Sequence, residues 1–129
     1  MADHDTTIGE LRALVADFVA RRDWGRFHTP KNLAMSLAIE AAELMEHFQW
    51  LTPEQSQAIG ARPDALAEVA DELADVFCYG LALANALELD LASAVAAKMV
   101  KNARKYPEET YRGRFGPKDP TRASPPEAD

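Results

Sequence analysis

Two matched pairs of acidic residues carry the first chemical signal in this 129-residue chain. Glu40 and Glu43 stand three apart, and Glu72 and Asp75 repeat that spacing after a 28-residue spacer. At about 100° per residue, an i, i+3 pair projects from one side of a helix. Between Leu33 and Met45 the only polar side chains are Ser36, Glu40 and Glu43, and His47 continues their stripe. Glu68, Glu72, Asp75 and Tyr79 step by four, three and four residues and so share a second face. From Leu73 to Leu87, Asn85 is the sole other polar side chain. A helix that is apolar nearly all round is expected to be buried. If the two stripes face each other, four carboxylates converge in a low-dielectric interior, where like charges repel and each loses hydration. Either protons or cations must compensate, and oxygen-only ligands suit a hard divalent cation, Mg²⁺ above all. Any single glutamate in an Ala-rich helix is ordinarily a solvated surface residue. Two pairs, each alone on an apolar helix, argue for the metal-binding reading.

A di-iron bundle would also bury carboxylates, but it needs Glu and His three apart on two helices. His47 follows Glu43 by four and Glu46 by one, and the helix carrying Glu72 has no histidine. An oxygen-only site fits better.

A complementary stripe lies further on. Lys98, Lys101, Asn102 and Lys105 advance by three or four residues, with Arg104 beside them. Lysines in a last helical turn serve the helix dipole, which accounts for Lys101 and Lys105 equally well. Lys98 and Asn102 sit earlier in the pattern and are candidates for phosphate or sugar contacts. Trp24, Phe27, His28 and Trp50 flank the two ends of the helix that carries Glu40. They serve either as core plugs or as a stacking pocket for a flat base, a contact worth about 1–3 kcal/mol per base.

The elements that must hold these residues are helices. Thr7-Ile8-Gly9-Glu10 reads as a capping box, and Leu11, Leu14, Val15, Phe18 and Val19 follow at helical spacing to about Arg22. Thr29-Pro30 opens a second helix running to about Phe48. Thr52-Pro53-Glu54-Gln55 starts a short piece that fades by Gly60, and a long third helix spans about Asp64 to Leu87. A fourth, capped by Asp90, runs to about Lys105 and is closed by Tyr106-Pro107. The predicted fold is all-α: a four-helix-bundle core with a short extra helical segment, in one domain over 1–112. Residues 113–129, rich in Pro and charge, are expected to form a disordered tail.

Apolar residues make up 47% of the chain and charged ones 27%, with a net charge of −7. Affinity for polymeric nucleic acid comes mostly from basic surface, so the acidic balance argues against that partner. It leaves room for a small phosphorylated ligand bridged to carboxylates by cations. No apolar run is long enough to suggest a membrane span. The opening Met-Ala-Asp-His-Asp has no basic or apolar leader pattern, and Cys78 is the only cysteine, so a cytoplasmic location is expected. Val76-Phe77-Cys78-Tyr79 reads as packed helix with an inert thiol.

The E-x-x-E, spacer, E-x-x-D pattern resembles the all-α NTP pyrophosphohydrolase superfamily, the MazG-like and dimeric dUTPase-like proteins. Within it the residues look most like the dCTP pyrophosphatases and their bacterial relatives. That closer likeness rests on Phe27-His28, Pro30-Lys31-Asn32-Leu33, Phe48-Gln49-Trp50, Glu72-Leu73-Ala74-Asp75-Val76, Lys98-Met99, Asn102, Arg104 and Tyr106-Pro107. The resemblance spans about Phe18 to Pro107. It implies a Mg²⁺-dependent conversion of a dNTP, dCTP or a modified dCTP, to dNMP and pyrophosphate, in nucleotide-pool house-cleaning. It further implies Glu40, Glu43, Glu72 and Asp75 as metal ligands, with Glu43, Glu72 or Glu68 taking the proton. Trp24, His28 and Trp50 would form the base pocket; Tyr79, Lys98 and Asn102 would contact the nucleotide; Arg104 would steady the outgoing charge. Active units of the family are homodimers or homotetramers. A broad-specificity MazG-like pyrophosphatase and a non-catalytic nucleotide-binding module are the alternatives.

Overall fold

The computed structural model of the chain describes residues 1–115, and the expectation of a disordered tail falls mostly on residues outside that range. Among the described residues there is no strand. Six α-helices follow in order: α1 (Ile8–Ala20), α2 (Pro30–Glu46), α3 (Pro53–Gln57), α4 (Pro63–Ala86), α5 (Leu91–Lys105) and α6 (Glu108–Tyr111), with a 3₁₀ turn at Ala58–Ala61 between α3 and α4. The all-α class and the four long helices agree with the sequence reading. The four-residue α6, after Pro107, is an addition that a segment so short does not announce.

Local chemistry explains where the helices begin. The Thr7 hydroxyl accepts from the Glu10 N–H while the Glu10 carboxylate accepts from the Thr7 N–H at 2.7 Å, a complete capping box. Thr29 caps α2 by accepting from the Asn32 N–H, ahead of Pro30. Thr52 and Gln55 form a second reciprocal box at α3.

The ends of α1 and α4 are closed by a different device. After α4, the Leu89 N–H reaches the Ala84 carbonyl and the Glu88 N–H reaches the Asn85 carbonyl, with Glu88 at φ +51°. After α1, the Trp24 N–H reaches Val19 and the Asp23 N–H reaches Ala20, with Asp23 also at φ +51°. Both are Schellman closures with a non-glycine residue in the left-handed position. The one after α1 turns the chain directly into Trp24.

The chain forms two compact units, one of Met1–Asp90 and one beginning at Leu91. In the first, α4 is the central element, with α2 making the most extensive interface on it and α1 and the 3₁₀ turn packing alongside. A Cβ at Gly80 of α4 would touch the Leu37 side chain of α2 at 3.6 Å, so the two helices run close there. The buried apolar set is small: Leu33 on α2, Ile59 on the 3₁₀ turn, and Leu81, Ala82 and Ala84 on α4.

The expectation that α2 and α4 are buried nearly all round is not met within one chain. Met35, Ile39 and Met45 on α2, and Leu66, Leu73 and Phe77 on α4, are all more than 40% exposed. Two helices packed on each other cover one side of each, and the apolar residues on the remaining sides face outward.

α1 contains no buried residue and is pinned by one polar clamp. The Arg12 Nε donates to Asn85 Oδ1 at 2.8 Å, and its terminal nitrogens donate to the Leu89 and Ala84 carbonyls. Asn85 Nδ2 returns a bond to the Arg12 carbonyl at 3.0 Å. Arg12 thus occupies the carbonyls at the end of α4. Arg12→Ala is expected to lower unfolding free energy by about 2–3 kcal/mol in urea melts, the range for hydrogen bonds to charged groups. Asn85→Ala should lose a similar amount, and the double variant little more than either alone, because the two share the same bonds.

Candidate functional site

The carboxylates come together where α2 crosses α4. One oxygen from each of Glu40, Glu43 and Glu72 lies within 4.8 Å of the other two. Glu40 and Glu72 are half-buried and Glu43 is exposed. Loss of hydration is the largest cause holding the Glu40 carboxyl above the ordinary carboxylate range. A hydrogen bond to Glu43 and repulsion from it come next, then the charges of Asp75 and Glu72. Uptake of a proton by Glu40 would relieve that repulsion. Asp75 lies outside the tight trio, yet its charge is felt by Glu40.

All donors in this cluster are oxygens, as a hard divalent cation requires. One oxygen from each of Glu40, Glu43 and Glu72 would be drawn inward to hold such an ion, which would neutralise their crowded charge. The residues fit the group.

The aromatic side of the site is built from the α1–α2 turn. Trp24, placed by the Schellman closure, meets Phe18 edge-on at 5.9 Å and tilts over His28 at 6.4 Å. The Arg22 guanidinium lies 3.6 Å over the Phe18 ring and donates to the Phe18 carbonyl. The His28 backbone N–H bonds to the Trp24 and Gly25 carbonyls, and Asn32 Nδ2 ties down the Phe27 carbonyl. Together these fix a cleft of about 560 Å³ between α1 and α4. Phe18, Trp24 and His28 stand on one wall, with Asp75, Cys78 and Tyr79 of α4 on the other. That volume is ordinary for a small-molecule site. A second cleft of about 470 Å³ shares His28, Val15, Val19 and Ala82 with it and extends toward Pro30 and Asn85. Asp75 is the hinge of the arrangement, lining the aromatic cleft while acting on the carboxylate trio.

Several sequence expectations need placing against this geometry. Trp24, His28 and Tyr79 share the cleft, but Trp50 does not. It is 86% exposed beyond the C-terminal end of α2, while Trp24 and His28 flank the N-terminal end. The 17 residues of α2 span about 25 Å, so these aromatic groups stand at opposite ends of that helix. Cys78 is exposed on the cleft wall rather than packed; partial loss of hydration, followed by the charge of Asp75, pushes its thiol pKa up, which disfavours the thiolate. Lys98, Asn102 and Arg104 lie on α5, Asn102 half-buried and the other two exposed. Glu68 is exposed, with an oxygen 3.8 Å from His47 Nδ1, and Glu72 lies 3.9 Å from Nε2 of the same ring. His47 was visible in the polar stripe of α2, but its relation to two acids on another helix is a tertiary fact that spacing does not carry.

A pH response follows from Glu40. Its pKa is raised on folding, so its stabilising contribution is complete below the unfolded value of 4.5 and is lost as pH rises through the folded one. In metal-free melts the difference in midpoint between Glu40→Gln and the natural chain should therefore widen in favour of the variant from about pH 4.5 upward. A difference that stays flat with pH would contradict the charge crowding described here.

Residues 35–114 match the MazG-like family model, and the chain belongs to that family. Among curated proteins, the chain is 42% identical over 108 residues to dCTP pyrophosphatase 1 of Homo sapiens, and 40% identical over 109 residues to that of Bos taurus. These matches cover 84% of this chain, which spans 64% of the length of those relatives. Among solved structures, a pyrophosphatase from Archaeoglobus fulgidus superposes with a TM-score of 0.71 at 41% identity, over 83% of this chain and 98% of that one. Among the described residues, no single helix is long and apolar enough to cross a membrane.

Proposed function

We propose that the protein hydrolyses a deoxynucleoside triphosphate to the monophosphate and pyrophosphate with Mg²⁺, and that its substrate is dCTP or a base-modified dCTP. The observation that carries this is the junction at Asp75: it lines an aromatic cleft sized for a nucleoside, and its charge reaches Glu40 of the three-carboxylate cluster. The kinship with dCTP pyrophosphatases and a pyrophosphatase supports the reaction type.

In this reading Trp24, His28 and Tyr79 take the base and sugar, and the phosphates extend toward Glu40, Glu43, Glu72 and Asp75. A bound Mg²⁺ supplies charge neutralisation to the phosphates and lowers the pKa of a coordinated water. Glu43, the exposed member of the trio, Glu72 or Glu68 takes the proton of an attacking water in this reading. The base wall keeps the nucleotide in register so that the α–β bond meets the acidic end. Lys98, Asn102 and Arg104 of α5 are the groups of this chain whose chemistry suits phosphate and sugar oxygens.

Incubation with each dNTP and Mg²⁺, with products resolved by ion exchange, tests the proposal. Pyrophosphate and dCMP from dCTP are expected. Orthophosphate without pyrophosphate would exclude the reaction, and equal turnover of purine and pyrimidine substrates would exclude the base preference.

The exposed apolar stripes of α2 and α4 support a homo-oligomer, dimer or tetramer, as the working unit. A second copy would also offer its own exposed Trp50, which does not line the cleft of its own chain, to the neighbouring cleft. Sedimentation velocity should give a mass at least twice that of one chain, and Ile39→Glu or Phe77→Glu should reduce it to the monomer.

A further inference from the structure

His47 has no part in the chemistry assigned above, yet its ring lies between two acidic side chains of α4. It is the C-cap residue of α2, at φ −67° and ψ −18°, and its side chain is 26% exposed. Nε2 stands 3.9 Å from Glu72 Oε1 and Nδ1 stands 3.8 Å from Glu68 Oε2. Glu72 is equally enclosed, at 26%, whereas Glu68 is 69% exposed. These separations exceed a direct hydrogen bond and match either a bridging water or a small side-chain closure.

The trio creates a problem that an imidazole in this place solves. Glu40, Glu43 and Glu72 repel one another, and Glu72 is the only member supplied by α4. Glu40 and Glu43 share a hydrogen bond on α2, whereas Glu72 reaches the trio from the facing helix. Left to itself, its carboxylate is driven away from the other two. A ring N–H beside Glu72 Oε1 can give that oxygen a partner and leave the other for a cation, which is how carboxylate ligands are commonly oriented.

We propose that His47 is a positioning residue that holds Glu72 in its cation-binding orientation through a ring N–H, directly or through one water. The inference rests on the metal-binding reading of the carboxylate trio and adds to it a residue that touches neither substrate nor cation.

Binding of Mn²⁺ alone to the full chain, followed by electron paramagnetic resonance without nucleotide, tests this independently of turnover. His47→Leu keeps the bulk and loses the N–H; His47→Gln keeps an N–H donor. His47→Leu is expected to weaken Mn²⁺ binding by about 10–100-fold, the usual effect of removing such a partner. His47→Gln should stay within about threefold of the natural protein, since it retains a donor to carboxylate. Circular dichroism melts in chelator show whether both variants remain folded. Unchanged affinity in His47→Leu overturns the proposal, as does an equal loss in both variants, which would mean that ring shape matters and not the N–H. If His47→Leu fails to fold, His47→Gln decides alone: a loss beyond about tenfold in the folded variant overturns the proposal, and retained affinity sustains it. If the natural protein binds no Mn²⁺ while Glu43→Gln still alters turnover, the metal reading of the trio fails, and the His47 proposal with it. That pattern is distinct from a variant-specific failure.

Discussion

The Glu43→Gln protein, assayed with Mg²⁺ and dCTP, is expected to release pyrophosphate more than about 100-fold more slowly than the natural chain, beyond what loss of an outer partner produces. In chelator the same variant should melt at the same temperature or higher. The two expectations point in opposite directions for one physical reason. Glu43 shares a hydrogen bond with Glu40 and repels it across the trio. In the proposed reaction, removing its charge takes away a cation ligand and a proton acceptor, and it also relieves the crowding that metal-free folding must tolerate. A scaffold that merely kept the helices would lose nothing in the assay. A variant that lost activity and stability together would indicate damage to packing instead of chemistry.

Leu33→Ala is expected to cost about 2–5 kcal/mol of unfolding free energy in urea, the range for deleting a fully buried leucine. Leu33 is only 2% exposed, the most enclosed large side chain, in a core that otherwise consists of Ile59, Leu81, Ala82 and Ala84. Three of those four are on α4, so Leu33 is α2's own buried contribution to the unit. Against the 5–15 kcal/mol typical of a whole domain, such a loss would leave the chain only marginally folded. An effect below about 1 kcal/mol would mean that the site collapses around the smaller side chain or that the α2–α4 interface is held mainly by other contacts.

The starts of α1, α2 and α3 were readable because each depends on residues three positions apart. Thr7 with Glu10, Thr29 with Asn32, and Thr52 with Gln55 all bond as their spacing predicts. Helix ends were less legible: Asp23 and Glu88 take the left-handed position that usually signals itself by glycine. The convergence of Glu40, Glu43 and Glu72 was legible in outline, since an isolated polar stripe on an apolar helix needs a partner. The extent of burial was not. Met35, Ile39, Leu73 and Phe77 show that composition announces apolar surface to be covered without saying whether the cover comes from the same chain. Trp50 fell on the same blind side, because flanking one helix in sequence places residues at opposite ends in space. His47 escaped a test built on spacing within one helix, since its two neighbours belong to another.

The anchoring of α1 bears on how the cleft behaves over time. Four residues of its wall (Leu14, Val15, Phe18 and Val19) belong to a helix that buries no residue and hangs on the Arg12–Asn85 clamp. Local opening is drawn from such weakly anchored segments, whereas α4, with three buried positions, opens only with the whole unit. Amide protons of α1 therefore exchange with solvent well before those of α4. A nucleotide seated against Phe18 and Trp24 would slow that exchange, so occupancy of the cleft is written in the protection of its own outer wall.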